Sequence, residues 1–410
     1  MIHLARILQH NVIGKLLNHL IVFAINICIV RWLGAQGSGA YFNELYLLNL
    51  VVFICSMGLD YACIALLAGQ PWAARIFRVF LTRIALLFFV LLAFFLLAFP
   101  KFFLQLFNQP VIAVMLFSTG NLLLLFFQGF LSALKKFNLQ NVVLGISNLF
   151  FLAWLFFVAD RLTTPVAVII RNYAMLFFVQ GGLMLLFSYA VPLPDPESKP
   201  VNWNLFLHRG LFIMFSSLVY FIFLRADNFF VERYCNNTAL GNYVQAGKIG
   251  QYFIYFSTVI SATLLPFIKN ETVGSSYEEW RRMMKPYLLL ILAAALGIAF
   301  TGKWLFPFLF GEDFTMLYPI MLLLLPGYIC LGLLTLINSV FIGKGSIRQI
   351  LISDTIGLVL LLVLDILFVP RYGVIAAAII SSGCYIFVFA FLARNFKQQF
   401  LLHDKGNILS

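Results

Sequence analysis

The sequence predicts an all-α integral membrane fold: twelve transmembrane helices in two six-helix bundles related by a parallel pseudo-twofold repeat. Three observations carry this. Hydrophobic residues make up 63% of the chain and charged residues only 10%, with a mean hydropathy of +0.99, whereas soluble domains carry about 25% charged residues. Apolar runs of about 20 residues, the length that crosses a bilayer core, recur from end to end. Short features also repeat at an offset of 202 residues, close to half the chain.

The first six spans are expected at 11–33, 39–68, 79–106, 111–133, 139–159 and 165–190. The second six are expected at 205–232, 240–268, 284–309, 315–342, 347–369 and 373–395. The run that opens the set is too long for a cleavable signal and lacks a small-residue cleavage site, so it reads as the first span. Residues 191–203 (VPLPDPESKPVNW) hold four prolines, which forbid a helix there. They read as a cytoplasmic linker between an N-terminal bundle, 1–190, and a C-terminal bundle, 204–410.

Orientation follows from the basic residues. With a cytoplasmic N-terminus, eighteen of the 27 lysines and arginines fall on the cytoplasmic side and six on the outer side. That bias obeys the positive-inside rule and puts both termini in the cytoplasm. It also explains the net charge of +12 without nucleic acid as a partner. The last three basic residues, Arg171, Arg225 and Lys248, lie within spans. Six cysteines occur, five of them in apolar runs and none in a CxxC pair, so no disulfide framework, metal site or cofactor is expected. The chain has no P-loop pattern, which excludes ATP hydrolysis as its own energy source.

The repeat is short but doubled. Gly39-Ala-Tyr41 opens the second span and Gly241-Asn-Tyr243 the eighth, while Lys101 and Lys303 each precede an aromatic patch at the same offset. An even number of spans per half makes the repeats parallel, which puts the substrate of a transporter between them.

Three turns resemble those of the polysaccharide (O-antigen) flippase family. They are Arg31-Trp-Leu-Gly-Ala-Gln-Gly-Ser-Gly-Ala-Tyr41; Arg225-Ala-Asp227 with Ala239-Leu-Gly-Asn-Tyr-Val-Gln-Ala246; and Phe368-Val-Pro-Arg-Tyr-Gly-Val-Ile-Ala-Ala-Ala378. That family shares a superfamily with multidrug and toxin extrusion antiporters and the lipid II flippase. The resemblance implies a V-shaped pair of bundles that work by alternating access. It also implies a polyprenyl-diphosphate-linked oligosaccharide as cargo, moved from the cytoplasmic to the periplasmic leaflet of a bacterial inner membrane. Membrane lipids and the polymerase machinery that consumes the cargo are the implied partners. Asp365 departs from the family pattern and reads as a hydrogen-bonding variant or an extra titratable site.

A diphosphate crossing a low-dielectric slab needs cations along its way. Arginine suits this because its planar fork grips phosphate with two bonds and stays charged. Arg225, Lys248 and Arg171 are therefore the candidate substrate-binding residues of a central cationic cavity. The competing reading is that they snorkel to an interface or pair with Asp227. Arg225 and Asp227 are two residues apart, so on one helix they point away from each other, and Lys248 is the better partner. Asp227 either holds Lys248 or takes up H⁺ or Na⁺, as intramembrane carboxylates often do. Asp60 is the second ion-coupling candidate. Asp354, near the cytoplasmic end of its span, is expected to be solvated. Intramembrane asparagines are expected to bond helix to helix more than to bind sugar.

Two alternatives stand beside the flippase. A cation-coupled multidrug antiporter of the same superfamily would favour acidic cavity residues. A membrane oligosaccharide polymerase or glycosyltransferase would need a sizeable outer loop, and every outer loop here is short.

Overall fold

The computed structural model describes residues 2–67, 70–101, 107, 109–158, 165–193, 203–268, 273–343 and 347–407. All regular structure among them is helical. The chain forms two compact units, one of Met1–Leu33 with Ala40–Leu218 and one of Gly34–Gly39 with Val219–Ser410. The expected linker is largely residues 194–202, outside the described residues. The unit boundary falls within a helix, between Leu218 and Val219.

Nine stretches among the described residues are long and apolar enough to cross a membrane. Two of them, 44 and 52 residues long, exceed one span: the first covers most of 11–33 and the start of 39–68, and the second covers 347–369 and 373–395. The first lies in α1 (Ile2–Ser56), which kinks at Gly34 (φ 64). The surface is apolar, with Leu97 75% and Phe157 80% exposed. A soluble protein would hide such side chains, and hydrocarbon welcomes them.

The first unit continues with α2 (Leu59–Leu67), α3 (Ala74–Ala98), α4 (Val111–Ala133), α5 (Phe137–Val158), α6 (Pro165–Ala190) and most of α7 (Trp203–Phe223). The expected second span is broken. Met57 and Gly58 both take positive φ, 50° and 62°, and α2 restarts in a new direction. A β-carbon on Gly58 would stand 2.4 Å from the Gly210 carbonyl oxygen, so the break lets α7 pass. Small residues likewise bring α4 against α6, where a β-carbon on Gly181 would meet the Gly120 carbonyl oxygen. Membrane helices associate through such close packing because lipid supplies no hydrophobic drive. The buried asparagines do what the sequence suggests. Asn121 donates to Asn49 Oδ1 at 3.1 Å, and Asn18 donates to the Asn141 carbonyl at 3.1 Å. Gln180 Nε2 donates to both Ser147 and Asn148 at 2.9 Å.

The second unit holds α8 (Ala226–Tyr234), α9 (Asn237–Ile268), α10 (Val273–Phe310), α11 (Leu317–Gly343) and α12 (Ile347–Asn407). The last of these kinks at Gly373 (φ 65). The expected seventh span, 205–232, is two helices, α7 and α8, separated at Leu224 and Arg225. Its core is aromatic: Tyr328 and Tyr385 rings meet at 5.7 Å between centroids, and Phe223 meets Tyr385 at 5.2 Å. Residues 34–39 of α1 pack within this unit. A β-carbon on Gly39 would stand 2.1 Å from the Asn237 carbonyl oxygen, and one on Gly241 would stand 2.0 Å from that of Ala35. The two glycines of the sequence repeat thus meet at one close helix crossing.

Candidate functional site

The break between α7 and α8 builds the site. Arg225 takes φ −143° and ψ −5°, so the helical ladder stops and its nitrogen bonds back to the Ile222 carbonyl at 2.9 Å. The break turns the Arg225 guanidinium over the Phe221 ring, 4.5 Å from its centroid. Asp227 then falls in the first turn of α8, where backbone N–H groups lack helical partners and favour an anion. Its Oδ1 accepts from the Asn228 nitrogen at 2.8 Å.

Asp227 is 2% exposed. Its Oδ2 accepts from Tyr243 of α9 and from Ser381 of α12 at 2.7 Å. Tyr243 also reaches Ser381, 3.1 Å away. Three helices are therefore tied through one carboxylate. Hydroxyls and a backbone nitrogen hold the Asp227 oxygens. Tyr243 and Lys248 are five residues apart, so α9 turns them to different faces. Lys248 instead lies within electrostatic range of Arg225, and both are half-buried. A cation in the interior of a membrane protein is costly unless an anion or a water-filled cavity meets it.

Asp365 of α12 adds a second carboxylate. It is fully buried, neither of its oxygens has a hydrogen-bond partner among the described residues, and it feels the charge of Asp227. The two carboxylates with Ser381 and Tyr243 offer the oxygen donors that suit a proton or a hard cation. Among the described residues, no group of three or more His, Cys, Asp or Glu is placed to hold a metal ion.

The remaining candidates lie elsewhere. Arg171 is exposed on α6 and Asp60 is 9% exposed in the first turn of α2, both in the first unit. Asp60 backs onto α4, where a β-carbon on Gly129 would meet its carbonyl oxygen at 2.8 Å. Asp354, expected to be solvated, is only 1% exposed, because Phe223 of α7 packs beside the turn that carries it. The sequence marked Tyr243 only within a repeat and a resembling turn, and it offered no signal at all for Ser381.

No protein-family model matches the chain, and no curated protein matches it by sequence. Its fold does match solved structures. One is the lipid II flippase MurJ in an inward closed conformation, 17% identical, with a TM-score of 0.65 over 93% of this chain and 89% of that one. Another is an inward-facing multidrug resistance MATE family transporter of the MOP superfamily, 12% identical, with a TM-score of 0.72 over 93% of this chain and 95% of that one. A third is a MOP superfamily transporter from Pyrococcus furiosus whose binding pocket is described as reversed in polarity. It is 13% identical, with a TM-score of 0.70 over 96% of this chain and 95% of that one. The chain thus has the fold of a multi-pass membrane transporter. More particularly, its fold is the one seen in the MurJ and MATE transporter structures.

Proposed function

We propose that this chain is a flippase that moves a polyprenyl-diphosphate-linked oligosaccharide, an O-antigen unit or a related surface polysaccharide unit. It carries the cargo from the cytoplasmic to the periplasmic leaflet of a bacterial inner membrane by alternating access. The observation that carries this reading is the Arg225–Lys248 pair. Asp227 is held by hydroxyls, and the Arg225 guanidinium lies over the Phe221 ring. Arg225 supplies a fork that matches a phosphate, and Lys248 adds a point charge beside it. Arg171 is a further cationic contact for an anionic cargo. Asp227 and Asp365 form the coupling site for H⁺ or Na⁺, with Asp60 as a further coupling carboxylate. The polymerase machinery that consumes the flipped unit is the expected partner.

The test is a proteoliposome assay that follows a polyprenyl-diphosphate oligosaccharide between leaflets. The wild type transports it and Arg225→Ala does not. A wild type that moves no lipid-linked sugar would sink the proposal.

The buried carboxylate pair Asp227 and Asp365 favours a second reading, a cation-coupled multidrug antiporter. In that case an organic cation leaves the vesicles down an imposed ion gradient, and Arg225→Ala leaves the efflux intact.

A further inference from the structure

The flippase reading leaves a groove of the first unit without a task. Toward α4, α6 packs tightly, with Gly181 against the Gly120 carbonyl. Toward α5 it stands off by the length of a glutamine: Gln180 Nε2 reaches Ser147 Oγ and Asn148 Oδ1, each at 2.9 Å. Those bonds set the register of the two helices, with Leu139 toward the Phe187 end and Trp154 toward the Asn172 end. Between them runs an open groove of about 580 Å³.

Its walls are hydrocarbon. Ile146, Phe150 and Trp154 follow one another along α5, and Met175, Val179 and Phe187 along α6. Phe150 is 73% exposed and Met175 57%, which in a bilayer means contact with lipid chains. The few polar groups are tied back to the helices. Asn172 Nδ2 donates to the Val168 carbonyl at 2.8 Å, and Ser147 Oγ donates to the Val143 carbonyl at 2.6 Å. Phe151 and Trp154 stack with 5.5 Å between centroids and give the Asn172 end an aromatic wall.

Two features decide which chain fills the groove. The first is length. From Leu139 to Trp154 the groove follows α5 for about 22 Å, whereas one leaflet supplies about 15 Å of hydrocarbon. A phospholipid acyl chain ends near the midplane and leaves part of the groove empty. A polyprenyl chain, longer than a leaflet is deep, continues along it. Large side chains one turn apart also leave notches about 5.4 Å apart, which methyl branches fill better than a straight chain does. The second is charge. Arg171 is exposed on α6, beside Asn172 at the end of the groove and one turn before Met175 on the same side. It puts a cation where a diphosphate head would emerge.

We infer that this groove binds the polyprenyl chain of a lipid-linked diphosphate, with Arg171 on its head. The inference rests on the flippase reading for the cargo and adds where the tail lies. With the sidedness expected from the basic residues, the Asn172 end is the outer one. The groove then holds the tail while the head stands at the outer leaflet.

The test is photolabelling of the full chain in phospholipid nanodiscs. The probes are a polyprenyl diphosphate, the neutral polyprenol and a phosphatidylglycerol, each with a diazirine in its chain, and labelled peptides are located by mass spectrometry. The polyprenyl diphosphate labels 139–154 and 172–187, and unlabelled polyprenyl diphosphate competes. Ile146→Trp fills the groove and lowers this labelling at least fivefold, and Val179→Trp does the same from the other wall. Leu97→Trp, at a 75% exposed site on α3, leaves it unchanged. Arg171→Gln lowers labelling by the diphosphate but not by the polyprenol. Equal labelling of the groove by phosphatidylglycerol makes it an ordinary lipid contact and overturns the inference, as does prenyl labelling spread evenly over the apolar surface. Equal loss of both prenyl probes in Arg171→Gln overturns the head contact. Transport is read separately in the leaflet-transfer assay. Ile146→Trp slows the lipid-linked sugar at least threefold, and a rate equal to wild type overturns the groove as a cargo site. Specific prenyl labelling in a wild type that moves no lipid-linked sugar keeps the groove and removes the cargo assignment.

Discussion

Arg225 and Asp227 show how much a two-residue spacing conceals. On a continuous helix they would point apart, and the chain does separate them, but through a backbone break rather than helical geometry. Arg225 goes over Phe221 and Asp227 into a cage of hydroxyls. Arg225→Lys keeps the charge and loses the fork, so it retains part of the flipping rate. Arg225→Ala lowers the rate at least tenfold, equivalent to about 1.4 kcal/mol, in the leaflet-transfer assay. Asp227→Asn keeps one oxygen to accept from Tyr243 and Ser381, gives up the bond from the Asn228 nitrogen and removes the titratable charge. It still folds in detergent but no longer responds to an imposed pH or Na⁺ gradient. Loss of folding with Asp227→Asn would instead make that carboxylate structural. The charged members of the site were visible in the sequence because charge inside an apolar run is rare. The Ser381 hydroxyl was not, since it reaches Asp227 across 154 residues and looks like any serine in a span.

Glycines decide the helices in two physically distinct ways. Gly39 and Gly241 are needed for space, since a β-carbon on either would enter the other strand of the crossing. Gly373 is needed for its φ of 65°, because its would-be β-carbon has Cys235 Sγ at 3.7 Å as its nearest neighbour. Gly241→Leu therefore forces the helices apart and costs roughly 2 kcal/mol or more. Gly373→Ala meets only the backbone penalty of a side chain at φ 65° and ψ −150°, about 1–3 kcal/mol. Thermal melts of the detergent-solubilised variants check this order, and equal losses would contradict it. The apolar runs marked where helices had to be. They did not mark the breaks at Met57–Gly58 and Leu224–Arg225, because a run stays apolar across a bend that another helix imposes.

On the scale of the whole molecule, the bias of basic residues predicts sidedness. A membrane-impermeant maleimide added outside intact spheroplasts labels Cys235, a free and half-exposed thiol. It does not label a cysteine placed by Lys136→Cys in a Cys235→Ser background. The reverse pattern would invert the topology and, with it, the direction of transport. The sequence by itself determined the membrane class, the repetition of the G-x-Y turn and the few charges worth suspecting. Each of these follows from local transfer free energies that a run of residues carries wherever it lies. Only the tertiary structure decided which hydroxyls hold Asp227, that Arg225 lies over Phe221, and that Asp354 is buried. It also decided that the two repeated glycines touch. Those outcomes depend on which helix faces meet, and in lipid that choice is made by close packing and paired polar groups, which no single segment encodes.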